Sequence, residues 1–113
     1  MIVRLFVYGT LAPGRSNAHV LADVSGRWEP ASVRGTLYQE GWGAAAGYPG
    51  IVLEPEGSEV EGLVFTSTEL PAHWDRLDAF EGEGYRRVVV RATRADGAIV
   101  DAYVYELSNS PER

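Results

Sequence analysis

Six segments of this 113-residue chain read as strands, while only one carries a clear amphipathic helical pattern. That imbalance constrains the fold more than any other feature. One full helix and one short helix cannot cover both faces of a six-stranded sheet. A sheet that curves on itself closes such a core economically. The expected fold is therefore α+β: a small mixed six-stranded β-barrel with flanking short helices, in one domain spanning residues 1–113.

The order of elements is β-α-β-β-β-α-β-β. Ile2 to Tyr8 is apolar and largely β-branched except for Arg4, as in a buried strand. Gly9 to Gly14 is a loop. Ser16 to Ala22 is a short helix candidate that Ser16 or Asn17 can cap. Val33 to Tyr38, Ile51 to Leu53 and Val60 to Thr66 follow as strands, with Gly62 marking a bulge or a close backbone approach. Between the first two of these lies the Gly- and Ala-rich loop Gly41 to Gly50. The clear helix runs from about Glu69 to Phe80, with Leu70, Trp74, Leu77 and Phe80 on one face. Thr66, Ser67 and Thr68 offer caps, and Pro71 suits a first turn. Arg86 to Arg94 and Ala98 to Glu106 are strands joined by the turn Ala95-Asp96-Gly97. In the first of them, Arg87 and Arg91 read as outward charged positions. Leu107 to Arg113 is a polar, loose tail.

Composition removes several chemistries. With no Cys there is no disulfide, thiolate nucleophile or Cys-based zinc site. All ten cations are Arg, so a Schiff-base lysine and a P-loop lysine are impossible. A net charge of −6 argues against sequence-independent nucleic-acid binding. No apolar run approaches the roughly 20 residues of a membrane span, and the N-terminus does not read as a signal peptide. A cytoplasmic protein is expected, with neither nucleic acid nor membrane as partner. His19 and His73 lack metal-ligand spacing. Ser16 and Ser67 lack a nucleophile elbow. Trp28, Trp42 and Trp74 read as packing residues.

Two places carry possible chemistry. Glu81 lies four residues beyond Leu77 and so continues the apolar helix face, which desolvates it. Its place at a helix C-terminus is also unfavourable for an anion. Both effects raise its pKa toward general acid/base use. Gly82 and Gly84 end the helix and let a ligand come close. A solvated Glu in a turn is the other reading. The loop Tyr8-Gly9-Thr10-Leu11, with Gly14, follows the first strand, where successive N–H groups can form an anion-binding nest. An ordinary tight turn is the alternative there.

In order and spacing, several short pieces resemble the gamma-glutamylcyclotransferase-like (AIG2-like) family. They are Val7 to Leu11 with Gly14 and Asn17, Gly35 to Tyr38, Tyr48-Pro49-Gly50, Val60-Glu61-Gly62, Leu77 to Gly82, Tyr85-Arg86-Arg87 and Ala102 to Tyr105. Small bacterial members and gamma-glutamylamine cyclotransferases look most similar, over about Ile2 to Glu106. The resemblance implies a small mixed β-barrel with flanking helices. It also implies a reaction in which a gamma-glutamyl amine or peptide yields 5-oxoproline and a free amine. Glu81 would be the acid/base residue, and Tyr8, Gly9, Thr10 and Leu11 would hold the glutamyl head group.

That reaction is intramolecular, so the protein mainly fixes a cyclic conformer and moves protons. It requires no metal or organic cofactor, and its partner is a small-molecule gamma-glutamyl substrate. Gly9 to Leu11 would supply oxyanion donors in part, and the same loop or Asn17 would bind the α-carboxylate. Tyr8, Tyr48, Tyr85 and Tyr105, with Pro49 and Gly50, would line the pocket, or the tyrosines would be core. A gamma-glutamyl amidohydrolase or acyltransferase, and a binding module without turnover, are the rival readings.

Overall fold

A computed structural model describes residues 2–8, 14, 18–38 and 49–108. Among them are six strands: β1 (Arg4–Val7), β2 (Arg27–Tyr38), β3 (Gly50–Leu53), β4 (Ser58–Thr66), β5 (Tyr85–Arg94) and β6 (Ile99–Leu107). One α-helix, α1 (Trp74–Glu81), follows a 3-10 turn at Leu70–His73, and a second 3-10 turn covers Ala18–Val20.

Five strands close a ring in the order β1-β4-β2-β3-β6, which a parallel pairing of Leu5 with Tyr103 completes. The sixth, β5, runs antiparallel along β6 and meets β2 where Ala31 and Ser32 pair with Arg94 and Thr93. The expected mixed barrel with a short helix is the fold observed.

Strand alternation sorts the core into two parts. Phe6, Ala31, Val33, Ile51, Val60, Val64, Ala92, Ala102 and Val104 come from all six strands and fill the barrel. Leu5, Val7, Phe65 and Tyr105 face the other way and pack under Val20, Leu21, Val24, Leu70, Trp74 and Leu77. The helix therefore covers the outer wall formed by β1, β4 and β6. Among the described residues no helix is long and apolar enough to cross a membrane.

Several boundaries differ from the sequence reading. β2 begins at Arg27, six residues before Val33, because Glu29-Pro30 interrupts any apolar alternation there. Neighbouring strands hold this half in place: Pro30 lies opposite Leu63, and its carbonyl accepts the Ala95 N–H. The helix expected over Glu69 to Phe80 has 3-10 geometry over Leu70–His73, with Pro71 in its first turn, and its α part runs Trp74–Glu81. Ahead of the 3-10 turn, Ser67 Oγ accepts the N–H of Glu69, the N-cap residue, at 3.0 Å, and the turn itself has no side-chain cap. Of the short helix expected from Ser16, the described part is a single 3-10 turn. Leu107 is no part of a loose tail: it is buried at the end of β6, opposite Tyr85. The expected hairpin is present, with Gly97 at φ 91° and Asp96 accepting the Ala98 N–H.

Candidate functional site

One end of the barrel gathers most of the residues singled out from the sequence. β1 ends there at Val7, just before Tyr8, β3 begins at Gly50, β5 begins at Tyr85, and β6 ends beyond Tyr105. The pairings Tyr85 with Leu107, Ile51 with Glu106 and Tyr38 with Gly50 fix these termini side by side. Gly9, Thr10, Leu11, Asn17 and Tyr48 lie outside the described residues.

Glu81 is the last residue of α1 and is only partly exposed. At about 100° per residue it projects between Trp74 and Leu77, on the buried face. Phe80 falls about 60° beyond Leu77. It is 45% exposed, so it does not extend the apolar face as expected. Gly82 ends the helix at φ 77°, a value that favours glycine, and its N–H caps the Asp78 carbonyl. Among the described residues the Glu81 carboxylate takes no hydrogen bond or ion pair. Burial alone pushes its pKa up to about 7. The helix C-terminus acts in the same direction.

The three described tyrosines of the site give their protons to acceptors in the protein. Tyr8 Oη donates to the Tyr105 carbonyl at 2.6 Å and accepts the Ile51 N–H at 3.2 Å. Tyr85 Oη donates to the Pro49 carbonyl at 2.6 Å, and Tyr105 Oη donates to Asp78 Oδ1 at 2.7 Å. Burial holds the Tyr8 and Tyr105 phenols well above their ordinary pKa. Tyr85, Glu81 and Glu106 add to that effect at Tyr8. At Tyr105 the Asp78 carboxylate and Glu81 do the same. Glu81 is thus within electrostatic reach of both phenols, and both stay protonated at neutral pH. Gly50 packs against the Leu107 side chain, where a Cβ would come within 2.4 Å.

Two ion pairs that the sequence reading assigned no role border this end. Arg87 spans Asp78 with a forked contact, Nε to Oδ1 at 2.8 Å and Nη2 to Oδ2 at 3.2 Å. Its guanidinium carbon sits 4.5 Å from the ring centres of both Trp74 and Tyr103. Arg87 was expected to point outward into water. It does leave the barrel interior, but α1 covers that face and captures it. Glu106, 8% exposed, accepts the Leu53 N–H and the Arg86 guanidinium, each at 3.2 Å. Spacing gives no hint of either pair, because each joins residues brought together only by the fold.

An exposed loop glutamate would have an ordinary pKa. Glu81 instead combines partial burial, absence of a cationic partner among the described residues, and two neutral phenols nearby. Such a carboxyl can exchange a proton near neutral pH.

Comparison with solved structures gives the same barrel. YkqA of Bacillus subtilis is 31% identical with a TM-score of 0.73, over 97% of this chain and 37% of its own. The chain therefore spans little more than a third of YkqA. An Arabidopsis thaliana protein is 32% identical with a TM-score of 0.68, over 96% of this chain and 72% of its own. A structure named gamma-glutamyl cyclotransferase shares the fold at 19% identity and a TM-score of 0.69, over 95% of this chain and 67% of its own. No functionally curated protein matches the chain at a significant level. The sequence description of one family, however, covers residues 5–113, nearly the whole chain. With the barrel and its helix-end carboxyl in place, that match decides the assignment: the chain belongs to the gamma-glutamyl cyclotransferase, AIG2-like family.

Proposed function

We propose that the chain releases 5-oxoproline and a free amine from a gamma-glutamyl amine or peptide. The observation that carries this reading is Glu81, a carboxyl raised to about 7 by burial at the end of the barrel. The substrate's α-amino group attacks its own side-chain carbonyl, forming the ring N–C bond. The bond from that carbon to the leaving nitrogen then breaks. Ionised Glu81 takes one proton from the α-ammonium and gives it to the leaving nitrogen; after attack it takes a second from the ring nitrogen, which ends on the released amine as its ammonium. One group can serve both steps because its pKa lies near the working pH. The loop Gly9-Thr10-Leu11 supplies N–H donors to the oxyanion, and it or Asn17 binds the α-carboxylate. Tyr8, Tyr85 and Tyr105 shape the wall beside Glu81, with Pro49 and Gly50 at its rim. Cysteine-free composition supports a cytoplasmic location.

The deciding experiment measures 5-oxoproline release from a panel of gamma-glutamyl amides and peptides, with Glu81→Gln beside the wild type. Release lost in the variant is expected. Free glutamate or a new amide as product would replace this reading with hydrolysis or acyl transfer. Thermal stabilisation by 5-oxoproline without turnover of any panel member would replace it with a binding module.

A further inference from the structure

Beside the apolar anchor Leu77, the last turn of α1 makes a polar tie to the barrel through Asp78, three residues before Glu81. Its Oδ1 accepts both Arg87 Nε and Tyr105 Oη, and its Oδ2 accepts Arg87 Nη2. The charge-assisted fork is among the strongest side-chain contacts a protein makes. Arg87 is itself held, its guanidinium carbon 4.5 Å from the ring centres of both Trp74 of α1 and Tyr103 of β6, which pack edge to face against each other. Tyr105 carries the linkage onward, because its carbonyl accepts Tyr8 Oη and Tyr8 accepts the Ile51 N–H. A continuous path of polar contacts therefore runs from α1 through β5 and β6 to the end of β1 and the start of β3. Glu81 takes no part in the path and lies beside it.

Resting on the acid/base reading of Glu81, we propose that Asp78 and Arg87 are positioning residues that press the last turn of α1 onto the barrel and keep the Glu81 carboxyl out of water. Leu77 anchors the start of this turn in the core, and Ser108 holds the chain just past it, its hydroxyl donating to the Glu83 carbonyl and its N–H to that of Gly84; between these anchors the polar hold on the turn is the fork. Phe80 is largely exposed, and Gly82 begins the departing chain. Without the fork, the final turn would lift and water would reach Glu81. The titratable groups within electrostatic reach of Glu81 are Tyr8, just past β1, and Tyr105 of β6; Tyr85 and Glu106 in turn act on Tyr8, and Asp78 on Tyr105. The cations bound to these groups are both committed, Arg87 to Asp78 and Arg86 to Glu106. A lifted turn exchanges burial for hydration, which moves Glu81 toward an ordinary carboxyl.

The test is a carbon-13 NMR titration of the Glu81 carboxyl in the substrate-free protein, assigned by its loss in Glu81→Gln. Asp78→Asn and Arg87→Gln should each lower the midpoint by about one unit or more. Turnover should fall about tenfold or more, chiefly in kcat. Arg87→Lys keeps the charge but not the fork, and should fall between them and the wild type. It also keeps the test open should the harsher variants fail to fold. Asp23→Asn, which breaks the exposed pair of Arg76 on the same chain segment's outer side, should leave the midpoint in place. A lower melting temperature with an unmoved midpoint in the folded Asp78 and Arg87 variants would overturn the proposal. A midpoint that moves while 5-oxoproline release does not would uphold the clamp and overturn the acid/base reading instead.

Discussion

The Tyr8 hydroxyl bridges two strands through backbone alone: it donates to the Tyr105 carbonyl on β6 and accepts the Ile51 N–H on β3. Tyr8 is the residue from which the Gly9 loop departs, so this strut fixes where that loop begins. Tyr8→Phe keeps the ring but strands a carbonyl and an N–H in a partly buried place. The expected cost is about 1–3 kcal/mol. It is read as a lower urea midpoint with an unchanged m-value. A midpoint equal to the wild type would show that water replaces both contacts.

Proton exchange by Glu81 has a definite pH signature. Only the ionised form accepts the substrate proton, and its pKa is about 7. The kcat/KM for 5-oxoproline release should therefore rise up to about pH 7 and level off above it. Each unit below that point should cost about a factor of ten. Initial rates between about pH 5 and 9 check this. An acid limb at the ordinary glutamate value of 4.5 would remove Glu81 from the role.

Much of this site was legible because helical spacing is rigid. Counting four on from Leu77 placed Glu81 on the buried face, and the structure puts it there. A count of three from Leu77, applied to Phe80, does not hold: steps of three and four drift in opposite directions, and Phe80 is 45% exposed near the helix end. Gly62 reads as a bulge or a close approach, since a missing side chain inside a strand needs a cause; the register is unbroken there, and the close approach, to the Val7 carbonyl, is what the structure shows. Arg87 could not be read, because strand alternation says which face a residue takes and not what lies on that face. Its partner Asp78 is on another element, as is Arg86 for Glu106. The first half of β2 was hidden for a similar reason. Its conformation is imposed by β4, over a local sequence that disfavours a strand at Pro30.

Glu81 also links stability to pH. Its pKa in the folded chain is about 7 against an ordinary 4.5, so the folded state holds the proton more tightly. Below about pH 4.5 both states are protonated and there is no penalty. Between the two values the unfolded state loses its proton first, and stability declines as pH rises. Above about 7 the penalty is complete, at about 3 kcal/mol. Glu81→Gln removes that dependence. Relative to wild type, the variant should gain about 3 kcal/mol between about pH 4 and 8 in urea titrations. A parallel pH dependence in the two proteins would mean that Glu81 is hydrated.

Gly62 ties barrel closure to the site. A Cβ there would stand 2.4 Å from the Val7 carbonyl and 2.8 Å from the Phe6 ring. Neither neighbour can retreat, because β1 is pinned by β4 on one side and β6 on the other. Gly62→Ala should therefore strain the β1–β4 pairing at Val7, at about 1–3 kcal/mol. The strain acts on the residue just before Tyr8, so 5-oxoproline release should fall along with stability. Gly97→Ala is the contrast. Nothing lies within 4 Å of its Cβ, but φ is 91°, so it strains only the remote β5–β6 turn. It should cost about 1–2 kcal/mol and leave turnover of the folded protein unchanged. Unfolding curves and release assays on both variants separate the two effects. Equal loss of turnover in both would mean that activity tracks general stability and not the seat of β1 against β4.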